Sequence, residues 1–122
     1  MAKKVLVVDD ANDIIELIGY RLKTNGYDVI AANSGEIAMT KIKKEKPDLV
    51  IMDVMMPPPN GFQVCRQIKD DPQYRHIPIV LLTAKSTESD QFWGMEAGAD
   101  AYLTKPYNPD ELLSKVQELL EE

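Results

Sequence analysis

The stretch "DLVIMDVMMPPPNG", Asp48 to Gly61, decides how the chain is read. Asp48 to Met52 is a short apolar run, apolar on both sides of the alternation, as in a strand buried on both faces. An acid, Asp53, stands where the run ends. Pro57, Pro58 and Pro59 follow. With no backbone N–H and a fixed φ, they cannot continue a central strand. They end it and stiffen the exit, and Asn60 then suits the cap of the next helix.

Four other runs share this character: "KVLVV" (Lys4 to Val8), "DVIAA" (Asp28 to Ala32), "PIVLL" (Pro78 to Leu82) and "DAYLT" (Asp100 to Thr104). The longer pieces between them read as amphipathic helices. In the first, Ile14, Ile18 and Leu22 recur every four residues, with Ile15 and Leu17 widening the stripe. In the last, Asn108 suits an N-cap, Pro109 the first helical position, and Asp110 and Glu111 the positive end of the dipole. Leu112, Leu113, Val116, Leu119 and Leu120 then form one apolar face. Gly26 and Gly98 stand where helices stop. Strands alternating with helices imply a parallel sheet covered on both faces, and right-handed crossovers close it as a doubly wound α/β sandwich. A (β/α)₈ barrel needs roughly twice this length.

The 122 residues fit one domain, taken as residues 1–122, with an ordinary composition of 44% apolar and 28% charged residues. The lone Cys65 excludes an internal disulfide and fits a reducing cytoplasm. No apolar run reaches membrane-spanning length, and "MAKKVLVVDD" lacks the anatomy of a signal peptide. A formal charge of −6 opposes non-specific binding to nucleic acid. The expected protein is cytoplasmic, with neither a membrane nor a direct nucleic-acid partner.

In open α/β sheets, ligands bind beyond the carboxyl ends of the strands. Asp9 and Asp10 end the first strand, Asp53 the third, Thr83 (followed by Ala84) the fourth, and Thr104 and Lys105 the fifth. Three carboxylates, a hydroxyl and an ammonium therefore converge on one edge. Close carboxylates repel one another, and a hard divalent cation relieves this; Mg²⁺ takes a few carboxylates and keeps room for phosphate oxygens. The set suits phosphoryl transfer to a carboxylate, which depends on positioning and charge stabilisation. Asp53 is the candidate nucleophile, Asp9 and Asp10 the metal-holding pair, and the Met55 carbonyl a further metal ligand.

The sequence resembles the receiver domain of bacterial two-component response regulators, the CheY-like family. The matching motifs are "VLVVDD", "DLVIMDVMMP" with "NG" shortly after, "PIVLLTA" and "GADAYLTKP", in order along nearly the whole chain. The resemblance implies a flavodoxin-like five-stranded parallel sheet of order 2-1-3-4-5. It implies that Asp53 accepts phosphate from a sensor histidine kinase or phosphotransfer protein, with Mg²⁺ held by Asp10, Asp53 and the Met55 carbonyl and assisted by Asp9. Lys105 would contact the phosphoryl group, Ala84 belongs to the same binding set, and the Lys105–Pro106 peptide would be cis. Thr83 and Tyr102 would form the switch, with helix 4, strand 5 and helix 5 as the output face and a homodimer on activation. Pro58 and Pro59 make the loop stiffer than is usual in the family. Met55 and Lys85 stand at positions that tune dephosphorylation. Methionine hydrogen-bonds an attacking water poorly, so slow self-dephosphorylation is expected.

Taken singly, these residues have ordinary readings: Asp9–Asp10 as a helix cap, Thr83 as a strand-end hydroxyl, Lys105 as a surface charge, Tyr102 and Trp93 as packing residues. Cys65 reads as a core thiol and His76 as an inert loop residue. Three other functions compete. A Mg²⁺-dependent phosphohydrolase with an Asp nucleophile usually needs a second acid two residues on, where Met55 stands. A flavodoxin-type binder needs a Ser/Thr/Gly-rich loop after the first strand, where "DDANDI" is acidic. A receiver that binds partners without phosphorylation would not need the full acid, Thr and Lys set. A signalling module that catalyses its own phosphorylation and dephosphorylation is therefore expected, rather than an enzyme.

Overall fold

The strand signals come first because they set everything else. In the computed structural model, which describes residues 2–84 and 87–121, the apolar runs are strands β1 (Lys4–Val8), β2 (Asp28–Ala32), β3 (Leu49–Met52), β4 (Ile79–Thr83) and β5 (Ala101–Thr104). Between and after them lie helices α1 (Asn12–Thr24), α2 (Gly35–Glu45), α3 (Gly61–Asp70), α4 (Glu88–Glu96) and α5 (Pro109–Leu120). All pairings are parallel and the sheet order is β2-β1-β3-β4-β5, the doubly wound flavodoxin-like arrangement.

The inner strands earn their apolar runs: every residue of β3 and β4, and Val5–Val8 of β1, is buried. Alternation sends successive side chains to opposite faces. Leu6, Val8, Met52 and Leu81 meet Val64 and Ile68 of α3 on one side. Val5, Val7 and Ile51 meet Ile18 and Leu22 of α1 and Leu112 and Val116 of α5 on the other. Each such side chain contributes about 1.5–3 kcal/mol by leaving water. Leu17 departs from the expected stripe of α1: it is 59% exposed, on the outer rim of the groove between α1 and α5.

Three strands depart from the sequence reading, at four bounds and by one residue each. Asp48 spends its groups before β3 begins, its N–H donating to Lys4 O and its carboxylate accepting from Lys4 N–H. Pro78 has no N–H to donate, so β4 starts at Ile79, and it runs through Thr83, whose backbone pairs with Thr104. Asp100 likewise precedes β5, its carboxylate accepting from Ile79 N–H and Lys69 Nζ.

The helix signals hold. Asn60 and Gln63 cap α3 reciprocally at 3.0 and 2.7 Å, and Asn108 Oδ1 accepts from the N–H groups of Asp110 and Glu111 ahead of Pro109. Gly26 and Gly98 adopt φ of 91° and 96° just beyond α1 and α4, where a Cβ would be strained. Cys65 is a buried core thiol pushed up to about 12 mainly by burial, and His76 lies exposed in its loop. Among the described residues, no helix is long and apolar enough to cross a membrane.

Candidate functional site

Parallel strands deliver their ends to one edge, and the ladder carries the key acids one step past it. Asp9 N–H donates to Ala32 O, Asp53 N–H to Val8 O, and Lys105 N–H to Thr83 O. The backbone of each charged residue is thus tied to a neighbouring strand, while its side chain stands free of the sheet.

Asp9 and Asp53 are buried, with 3% and 7% exposure. Lys105 Nζ reaches both, 3.1 Å from Asp9 Oδ2 and 3.2 Å from Asp53 Oδ2. Their other oxygens take backbone donors: Ala11 N–H on Asp9 Oδ1 at 2.9 Å and Met55 N–H on Asp53 Oδ1 at 3.0 Å. Asp10 is exposed, yet Asp9, Asp10 and Asp53 each place a carboxylate oxygen within 4.8 Å of the others. Asp9 is not the cap of α1. That position is Ala11, whose side chain has no acceptor to cap with; Asp9 Oδ1 instead accepts from the Ala11 N–H just ahead of the helix.

The electrostatics follow from burial. Asp9 is held above the ordinary carboxylate value by burial, partly offset by Ala11 N–H and Lys105 and reinforced by the Asp53 charge. Burial works to lower Lys105, but the Asp9 hydrogen bond and the Asp53 charge outweigh it and hold it above the usual lysine value. Three acids face one ammonium. The donor set is all oxygen and carries surplus negative charge, which fits a hard divalent cation.

Thr83 is fully buried at the end of β4, and Ala84 beside it is exposed. Lys85 lies outside the described residues. The Met55 side chain is 53% exposed at the mouth of the site. Tyr102 sits on β5, half-buried, with its hydroxyl pushed up to about 12 by burial and by the charges of Asp90 and Asp53. Phe92, Trp93 and Met95 of α4 are exposed. The Lys105–Pro106 peptide is cis, as is Pro58–Pro59.

Sequence reasoning noted Gly61 only within the "NG" motif and did not single out Gly35. A Cβ on Gly61 would stand 2.5 Å from Asp53 O and 2.7 Å from Val54 Cα, and one on Gly35 would stand 2.4 Å from Pro59 O. The helix start after Asn60 needs no glycine, and that mismatch was the available signal. The loop leaving Asp53 is wedged between the first turns of α2 and α3.

Comparison with known proteins agrees with this geometry. The family model described as "Response regulator receiver domain" matches residues 5–117. The chain is 48% identical over 120 residues to the alkaline phosphatase synthesis transcriptional regulatory protein PhoP of Bacillus subtilis, covering 98% of this chain and 49% of that protein. It thus spans about half the length of that curated relative. Among solved structures, a putative response regulator from Chloroflexus aurantiacus is similar with a TM-score of 0.93, 38% identity and 98% coverage of both chains. The BeF3-activated N-terminal receiver domain of RstA from Klebsiella pneumoniae is similar with a TM-score of 0.90 and 32% identity, over 98% of this chain and 100% of that one. Fold, acid cluster and family match agree, and the chain belongs to the response regulator receiver domain family of two-component signalling.

Proposed function

We propose that Asp53 accepts a phosphoryl group from the phosphohistidine of a sensor histidine kinase or phosphotransfer protein, and that the added charge repacks the face formed by α4, β5 and α5. The observation that carries this reading is the Lys105 ammonium bridging two buried acids, Asp9 and Asp53, beside the buried Thr83. An Asp53 oxygen attacks phosphorus, the P–N bond breaks, and the electron pair leaves on the imidazole nitrogen. Lys105 offsets the charge spread over the equatorial oxygens. The Thr83 hydroxyl donates to a phosphoryl oxygen, and Ala84, with only backbone to offer, contributes its N–H. Asp9, Asp10, Asp53 and the Met55 carbonyl would hold Mg²⁺. When bound, Mg²⁺ supplies charge neutralisation between the carboxylates and the transferring group.

The chain acts as one receiver domain over residues 1–122, working in the cytoplasm as a module that catalyses its own phosphorylation and dephosphorylation. Thr83 and Tyr102 form the switch between two packings, and phosphate biases them by its different interaction with each. The reader of the switched face is an output domain or a separate partner, and a homodimer through that face fits the exposed Phe92, Trp93 and Met95.

The test is intact mass after incubation with Mg²⁺ and acetyl phosphate, for the parent and Asp53→Asn. Gain of one phosphoryl group by the parent alone is expected. No adduct and no phosphate release would instead support a binding module without phosphorylation. No adduct with rapid release would favour the hydrolase.

A further inference from the structure

Gly94 lies inside α4 and is the helix's buried position. Its backbone does not require glycine: it is not among the glycines with positive φ, and glycine is a poorer helix former than alanine. The reason lies across the interface. A Cβ at position 94 would stand 2.6 Å from Cδ2 and 2.8 Å from Cε2 of the Tyr102 ring, and 3.5 Å from Leu81 Cδ1. The last is ordinary contact; the first two are not. Tyr102 and Leu81 are register partners on β5 and β4, so their side chains leave the same face of the sheet. The half-buried ring packs against the core of that face.

We infer that Gly94 is the positioning residue of Tyr102: the missing Cβ forms the seat in which the ring lies, and residue 94 sets how Tyr102 divides between this packing and others. The functional part of this inference rests on the proposed role of Tyr102 in the switch. Within α4, Glu88, Ser89, Phe92, Trp93 and Met95 are exposed and Asp90 is half-buried, so Gly94 is the one residue of the helix that is fully buried against the sheet. A ring that leaves its seat frees the helix at its point of contact. The exposed Phe92 and Trp93, edge-to-face at 5.5 Å, flank that point on the outer surface.

The test is a double-mutant cycle on the full chain: parent, Gly94→Ala, Tyr102→Ala and both together. Should Tyr102→Ala not fold, Tyr102→Val takes its place, keeping a strand-forming side chain. In urea unfolding, Gly94→Ala should lower the folding equilibrium constant when Tyr102 is present. With the ring removed, the same change should raise it about fourfold, because alanine is then simply the better helix former. The second readout is beryllofluoride affinity in Mg²⁺, followed through the fluorescence of Trp93, the single tryptophan. Gly94→Ala should change that affinity by at least about threefold with Tyr102 and leave it unchanged without Tyr102. A rise assigns the seated ring to the resting packing and a fall to the activated one; both support the inference. An effect of Gly94→Ala that is the same with and without Tyr102 overturns it. A parent that binds no beryllofluoride strikes the phosphoacceptor reading alone, and the unfolding cycle still decides the seat.

Discussion

The Lys105 ammonium donates to Asp53 Oδ2 at 3.2 Å across 52 residues of chain, while also holding Asp9. Replacing it tests whether the acids depend on that cation. Lys105→Met should lower stability in chelator by about 1 kcal/mol, less than for a fully buried pair because water reaches the lysine. Mg²⁺ should restore part of the loss by binding the folded acids. Urea midpoints with and without Mg²⁺ check this. Lys105 sits above its ordinary value of 10.5. The stability it contributes is therefore present below that value and is lost as pH rises through the higher folded value.

Asp9 is shifted upward too, but there the charged form is the one that costs stability. Its folded pKa lies above the ordinary 3.8, so the folded state holds its proton more tightly and the ionised acid costs stability. Asp9→Asn should be more stable than the parent at neutral pH in chelator. The gain should shrink as pH falls through the raised value and vanish below the unfolded one. Urea unfolding at a series of pH values reads the difference. A gain that grows on acidification would contradict the burial account of Asp9.

Met55 stands exposed beside Asp53 with only a weakly accepting thioether to hold a water. Met55→Asn should speed loss of phosphate after the donor is removed by roughly tenfold, below the hundredfold or so of a full general base. The decay of phosphorylated protein, followed by intact mass, measures it. No acceleration would count against slow self-dephosphorylation arising at this position.

Gly61 touches the backbone of Asp53 and Val54, which cannot turn aside as a flexible side chain would. Gly61→Ala should cost about 1–3 kcal/mol as an overpacked site and slow acetyl-phosphate labelling of Asp53. Asn60→Ala, which removes the cap of the same helix, should cost about 1 kcal/mol and leave labelling nearly unchanged. Comparing the two separates damage to the helix from displacement of the acid.

Much of this was legible in the chain because the signals were periodic or chemical. Val5–Val8, Leu49–Met52 and Ile79–Leu82 are apolar without interruption because both faces of the inner strands are covered. Asn60 and Asn108 announce helix starts through their side chains. Asp9, Asp10, Asp53 and Lys105 converge because a parallel sheet brings strand ends together. What stayed hidden depends on contacts between segments distant in sequence. Nothing local says that Gly35 meets Pro59 or that Gly94 meets Tyr102. Leu17 fits the helical stripe by spacing, yet it falls beyond the edge of the surface that α1 buries.

The ammonium and the first acid it holds are separated by 96 residues, and Lys105 follows β5, an edge strand paired with β4 alone. On a ribosome the acids therefore emerge long before their cation. A nascent chain that has formed β1 and β3 but not β5 carries the acids without the Lys105 ammonium that bridges two of them. The cluster gains its bridging ammonium when the final edge strand pairs with β4. A chain cut short before Lys105 would keep the three acids and lack the ammonium that bridges Asp9 and Asp53.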